Sequence, residues 1–175
     1  MISNALTLIL LALILLILIS IVTRSSKNGI TPTPTSPKVK EEVTAIVKNY
    51  TPTTIADFGA GWGTMAFALA KEFPHTDIYA YETSLVPYLY MKGMAKLKGY
   101  SNVRILKKDF FTVRAGEFDL IYCYLFTGAM KQLSPMFASY NGTVISNTFA
   151  LPNTVPTATK NVASWLGTTP IYIYK

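Results

Sequence analysis

Thr54-Ile55-Ala56-Asp57-Phe58-Gly59-Ala60-Gly61-Trp62-Gly63 leads straight into Thr64 to Phe73, TMAFALAKEF. Five residues with strand character run into three glycines, and a helix-length segment closed by Pro74 follows. This is a strand–turn–helix unit, predicted as a strand over Thr54–Phe58 and a helix over Thr64–Phe73. Glycines at such a turn let the backbone approach a ligand at a helix N-terminus, where free N–H groups gather. A dinucleotide loop would read G-x-G-x-x-G/A. Here the third glycine, Gly63, comes one position early, and Thr64 stands where that pattern places Gly or Ala. Asp57, two places before Gly59, suits a ligand that is cationic at an amino-acid end. The alternative is a tight glycine turn that binds nothing.

Outward from this unit the pattern repeats. Asp77–Tyr81, Val103–Leu106, Phe118–Leu125 and Gly142–Phe149 read as strands, and Leu85–Lys98 and Met130–Tyr140 as helices. The Phe118–Leu125 run is almost continuously apolar, as expected of a strand buried on both faces. Near the end, Thr159–Ser164 and Pro170–Tyr174 have no helix-length segment between them and form a predicted hairpin. The expected fold class is α/β: a Rossmann-like, doubly wound sheet with an antiparallel C-terminal hairpin.

The N-terminal fifth of the chain differs. Ala5–Val22, ALTLILLALILLILISIV, has no charge before Arg24 and is apolar on every side. Eighteen helical residues span roughly 27 Å, close to a bilayer's hydrocarbon core. A cleaved signal peptide would carry basic residues before the run, and a core helix would carry a polar stripe. The expected organisation is a transmembrane anchor over 1–23, a Pro/Thr-rich linker over 24–36 and a folded domain over 37–175. Arg24, Lys27, Lys38 and Lys40 follow the span, so the domain is expected on the cytosolic side, or the mitochondrial matrix side.

With 175 residues there is room for one modest domain. Half the residues are hydrophobic and 14% are charged, which excludes a disordered chain. One cysteine, Cys123, excludes a disulfide scaffold, and with His75 as the sole histidine no zinc cluster is available. The formal charge of +7 fits a domain held beside anionic headgroups. Lys92, Lys96, Lys98, Arg104, Lys107 and Lys108 form a basic cluster, read as a solvated face rather than a nucleic-acid site.

Two further acids complete the candidate site. Glu82 ends the second predicted strand, 19 residues after Gly63, a place suited to gripping both hydroxyls of a ribose. Asp109 follows the third, beside Phe110 and Phe111, and could accept from an adenine amino group while a phenyl ring packs on the base. A solvated loop acid and a capping acid are the plainer alternatives. Asp57, Glu82 and Asp109 each mark the C-terminal end of a successive strand, where open α/β sheets bind ligands.

On these residues, over about 50–175, the chain resembles the class I, seven-stranded S-adenosylmethionine-dependent methyltransferases. The resemblance implies that Asp57, Phe58, Gly59, Ala60, Gly61 and Gly63 hold the methionine part of S-adenosyl-L-methionine, Glu82 the ribose, and Asp109 with Phe110 the adenine. A closer resemblance adds Thr31-Pro32-Thr33-Pro34, Tyr124-Leu125-Phe126 with Ala129-Met130 and Leu133, and Phe149-Ala150-Leu151-Pro152. It is to the membrane-anchored lysine N-methyltransferases that include the mitochondrial ATP synthase c-subunit enzyme and its prokaryotic relatives. In that family the Pro-Thr-Pro stretch follows an aromatic residue and lies near the cofactor; Gly29-Ile30 precede it here. Thr127-Gly128 replace that family's Pro-Glu pair, so no role of that acid carries over.

A lysine acceptor must be neutral to react, and Tyr122, Tyr124 and Phe126 could hold its amine; Tyr124 and Phe126 are the stronger candidates. Strict alternation would put all three on one face, with Cys123 and Leu125 on the other. So small a domain has little chain for a lid, which fits a macromolecular substrate, and an anchor would restrict it to membrane proteins. The alternatives are a lipid or quinone methyltransferase and a non-catalytic S-adenosylmethionine-binding module.

Overall fold

The computed structural model describes residues 6–12, 15, 33–164 and 167–175. Its first labelled helix, α1 (Pro37–Lys48), starts where Ser36 accepts from the Val39 N–H and Pro37 takes the first turn. Val39, Val43, Ile46 and Val47 make its buried stripe.

The remaining elements alternate: β1 (Thr54–Phe58), α2 (Thr64–Glu72), β2 (Asp77–Tyr81), α3 (Leu85–Lys98), β3 (Val103–Leu106), β4 (Leu120–Cys123), α4 (Thr127–Phe137), β5 (Thr143–Asn147), β6 (Ala158–Ser164) and β7 (Gly167–Tyr174). They build one seven-stranded sheet in the order β3-β2-β1-β4-β5-β7-β6. The first five strands are parallel, with Asp57 opposite Ala80 on one side and Tyr122 on the other. β7 lies antiparallel between β5 and β6, so the predicted hairpin is inserted into the sheet, with its second strand inside. One core cluster joins α1, α2 and Met91 of α3 to the sheet; the other joins α4 with Phe58, Phe118, Ile121 and Leu151. The two faces are thus both covered, as a parallel sheet requires.

The bounds of β1, β2, β3 and α3 agree with those read from the sequence. Others moved. β4 is four residues long and stops at Cys123, because the apolar run expected to form it also supplies the turn into α4. Helix α4 begins at Thr127 and is over by Phe137; Pro135 lies inside it, removes one i→i−4 hydrogen bond, and the helix ends two residues later. Two single 3-10 turns, Phe110–Thr112 and Ala115–Glu117, fill the stretch before β4, where no element was expected.

The expected transmembrane helix, Ala5–Val22, lies mostly outside the described residues. Residues 6–12 are helical. Among the described residues no helix is long and apolar enough to cross a membrane. Within the stretch expected as linker, Thr35 is buried at 7% exposure and Ser36 caps α1, so this end of it is packed into the domain.

Candidate active site

The turn after β1 is built around backbone hydrogen bonds. The N–H groups of Gly59 and Ala60 both donate to the Tyr81 carbonyl on β2, and Gly63 N–H donates to the Ala60 carbonyl. Gly59 and Gly63 have φ of 76° and 74°, in the left-handed region that disfavours side chains. A Cβ on Gly59 would come within 2.7 Å of Leu125, and one on Gly63 within 2.9 Å of Met91 and Phe67. At these two positions the left-handed backbone favours glycine, and a side chain would also have to displace its neighbours. Gly61, also left-handed, lines a cavity at the C-terminal edge of the sheet.

That cavity has a volume of about 360 Å³. Of the predicted cofactor residues it collects Asp57, Gly59, Ala60, Gly61, Glu82, Asp109 and Phe110 along its wall; Phe58 and Gly63 are not among them. Phe58 belongs to the core, fully buried and stacked on Phe110 with ring centroids 5.3 Å apart. A strand residue next to Asp57 points to the opposite face, so one of the pair faces the core when the other faces the site.

Asp57 is the electrostatic centre. It is 2% exposed, and its Oδ2 has no hydrogen-bond partner. Burial pushes its carboxyl up to about 7; a hydrogen bond from the Ala66 N–H opposes this, and the nearby Glu82 adds to it. A buried acceptor left open in this way is costly unless something cationic or hydrogen-bonding completes it.

Glu82 is also buried, but it is well held. One oxygen accepts from Gly61 N–H at 2.9 Å and the other from Ser84 N–H at 2.6 Å. The carboxylate ties the glycine turn to the start of α3, and its remaining lone pairs can still accept ligand hydroxyls. Asp109 is exposed and caps the first 3-10 turn, accepting from Phe111 N–H at 2.9 Å. Phe110 and Phe111, both half-buried, supply an aromatic wall beside it.

At the end of β4 the structure overturns the strict alternation. Tyr122, Tyr124, Leu125 and Phe126 all line the cavity, because the chain leaves the sheet after Cys123 and no longer places side chains on opposite faces. Tyr124 and Phe126 therefore reach the site, as expected, and Leu125 joins them. Cys123 stays behind in the core, its thiol pushed up to about 12 by burial.

Sequence reasoning missed a polar chain. The Tyr122 hydroxyl, fully buried, accepts from Asn147 Nδ2 at 3.2 Å and lies 3.3 Å from Thr35 Oγ1. Thr35 N–H donates to Thr64 Oγ1 at 3.1 Å. Thr148 Oγ1 donates to Asn147 Oδ1 at 3.0 Å from a backbone with φ of 71°, a strained conformation for a β-branched residue. Residues 33–36 thus form a strap pinned through Thr35 to Tyr122 of β4 and to the start of α2, and Thr33 and Thr35 line the cavity. The Thr-Pro-Thr-Pro resemblance was the one signal pointing there. Among the described residues no group of His, Cys, Asp or Glu could hold a metal ion.

This strand order, with an acidic glycine turn after β1 and acids after β2 and β3, defines the Rossmann-like S-adenosylmethionine-dependent methyltransferases. Solved structures share the fold. An RNA methyltransferase from Salinibacter ruber, in complex with S-adenosyl-L-homocysteine, is 20% identical, with a TM-score of 0.68 over 81% of this chain and 92% of that one. A methyltransferase from Geobacter sulfurreducens is 15% identical, at 0.63 over 89% and 88%. Magnesium protoporphyrin IX methyltransferase from Synechocystis PCC 6803, with S-adenosylmethionine bound, is 14% identical, at 0.61 over 77% and 76%. No curated protein sequence matches the chain. The family model of the ANTKMT methyltransferase domain matches residues 57–158, and the chain belongs to that family. It is an S-adenosylmethionine-dependent methyltransferase. Its cavity fits that cofactor on an observation of its own: the open Asp57 Oδ2 is a buried acceptor suited to a cationic amino-acid end.

Proposed function

We propose that this methyltransferase is a membrane-anchored protein-lysine N-methyltransferase that modifies a membrane protein from the cytosolic or matrix side. Membership of the ANTKMT family is the observation that carries the lysine substrate. The aromatic wall made by Tyr124 and Phe126 supports it, since a π-face holds an amine's partial positive charge. Leu125 and Ala129 beside them are buried, and a dry apolar surround favours the neutral, nucleophilic form of a lysine amine. The cofactor supplies an electrophilic methyl group; this chain's part is binding and orientation. In this reading Asp57, Gly59, Ala60 and Gly61 hold the amino-acid end, Glu82 the ribose hydroxyls, and Asp109 with Phe110 the adenine.

The anchor rests on the Ala5–Val22 sequence and its flanking charges. It is supported by Leu6, Leu8, Ile9, Leu10, Leu11 and Leu15, each 52–67% exposed on the protein, an arrangement that asks for lipid around it.

The test is transfer of labelled methyl from S-adenosylmethionine to membrane fractions by the full chain, with Asp57→Ala and Glu82→Ala as controls. A labelled protein band carrying methyl-lysine, lost in both variants, is the expected result. Label confined to the lipid extract would replace the protein substrate by a lipid or quinone. S-adenosylhomocysteine binding with no label in either fraction would leave a binding module.

A further inference from the structure

Helix α3 packs on the sheet through Pro87 and Met91. Its opposite side is not the polar face that a surface helix normally presents. Leu85, Leu89, Lys92 and Lys96 recur at i, i+4, i+7 and i+11, so they form one outward stripe. Leu85 is 46% exposed, Leu89 56% and the neighbouring Leu97 79%. No acidic residue occurs between Leu85 and Lys98. Lys107 and Lys108 add exposed positive charge at the end of β3, the edge strand beside this helix. Between α3 and β3 runs a shallow groove with Lys92 and Lys96 on its rim and Val103 and Ile105 on its floor.

The position of this face matters as much as its chemistry. Ser84, immediately before Leu85, lines the cofactor cavity together with Thr33, the first residue of the strap. Nine residues, 24–32, separate Thr33 from the end of the proposed anchor. Fully extended they reach about 30 Å. The rim shared by the strap and the start of α3 is thereby held close to whatever the anchor enters.

We propose that the outer face of α3 docks on an anionic bilayer surface, with Leu85 and Leu89 entering the interface and Lys92 and Lys96 meeting lipid phosphates. Docking turns the cavity rim toward the membrane, where a lysine close to the headgroups can reach it. The inference rests on the membrane-anchored reading above and adds a second, lateral contact to it.

Cys123 is buried and is the sole cysteine, so Leu89→Cys in the full chain gives one reactive site. A nitroxide there is read by its relative accessibility to oxygen and to a water-soluble nickel chelate. The vesicles are phosphatidylcholine alone or with phosphatidylglycerol. Lys160→Cys, on the opposite edge strand β6, is the aqueous control, and Leu85→Cys is an independent second site. In phosphatidylglycerol vesicles the oxygen-to-nickel ratio at Leu89 and Leu85 should exceed that at Lys160 several-fold. Adding Lys92→Glu and Lys96→Glu should return it to the control value while the chain stays on the vesicles. A water-like ratio at both leucine positions in vesicle-bound chain overturns the docking and leaves the anchor standing. Spin–spin broadening at Leu89 that ignores lipid charge means a second copy covers the face, and also overturns it. If the full chain does not sediment with vesicles at all, the anchor fails and the docking fails with it.

Discussion

Two aspartates mark the opposite ends of the β1–β4 pair, and they are in opposite states. Asp119, just before β4 and exposed, has its Oδ2 surrounded by donors: Thr53 N–H at 2.8 Å, Thr53 Oγ1 at 2.6 Å, Thr54 N–H at 3.0 Å and Thr54 Oγ1 at 3.1 Å. These bonds, the Thr53 hydroxyl foremost, hold its carboxyl below the usual range. Asp57, at the other end of β1, is buried with an open oxygen and a carboxyl raised to about 7. The N-terminal edge of the sheet spends its acid on closing the fold. The C-terminal edge keeps its acid unfinished, and that is where open parallel sheets take ligands. A charge satisfied by its own chain is structural; one left open at a cavity is completed by something else.

The contrast can be broken by substitution. Asp57→Ala should have the largest effect, lowering S-adenosylhomocysteine affinity and methyl transfer by roughly 100-fold or more, since a buried charge-assisted contact is lost; calorimetric titration reads it. The same residue should burden the empty protein. Its folded pKa lies above the unfolded value of 3.8, so the folded state holds the extra proton and stability falls as pH rises from about 4 to 7. Asp57→Asn should flatten that fall and raise the melting temperature of the ligand-free protein at pH 8 relative to wild type, even as it weakens cofactor binding. Glu82→Gln should come next. It exchanges an acceptor-only group for an amide with one oxygen, leaves either Gly61 N–H or Ser84 N–H unpaired, and should cost about 10–100-fold in cofactor affinity. Asp119→Ala should show the reverse profile: a loss of about 1–2 kcal/mol of stability in urea melts, with cofactor affinity of the folded protein unchanged. Smallest should be Tyr122→Phe, costing about 1 kcal/mol and raising the KM for S-adenosylmethionine a few-fold with little change in kcat, because it releases the strap rather than a cofactor contact.

The C-terminal edge was readable from sequence because its acids follow short apolar runs one after another, and Asp57 and Glu82 proved buried at one cavity. The N-terminal edge was silent. Thr53, Thr54 and Asp119 sit unremarked at the starts of two strand-like runs until strand order brings positions 65 and 66 apart into contact. Phe118–Leu125 misled because an apolar run does not distinguish a strand from a cavity wall. The Thr35–Tyr122–Asn147 chain was hidden for another reason. Its members come from the strap, β4 and β5, and nothing periodic links them. Asp109 fulfilled its plainer alternative, a cap, while also reaching the cavity.

The Asp119 cluster also bears on how long the native protein lasts. Its partners are 65 and 66 residues away, across two helical crossovers and three strands. Closing so long a loop costs chain entropy before any bond is made, whereas the β6–β7 hairpin closes locally. Bonds joining such distant segments are expected to form after the main folding barrier, so their loss should quicken unfolding and leave refolding nearly unchanged in a chevron plot. On that account four hydrogen bonds at the edge of the sheet lengthen the native half-life rather than hasten its formation.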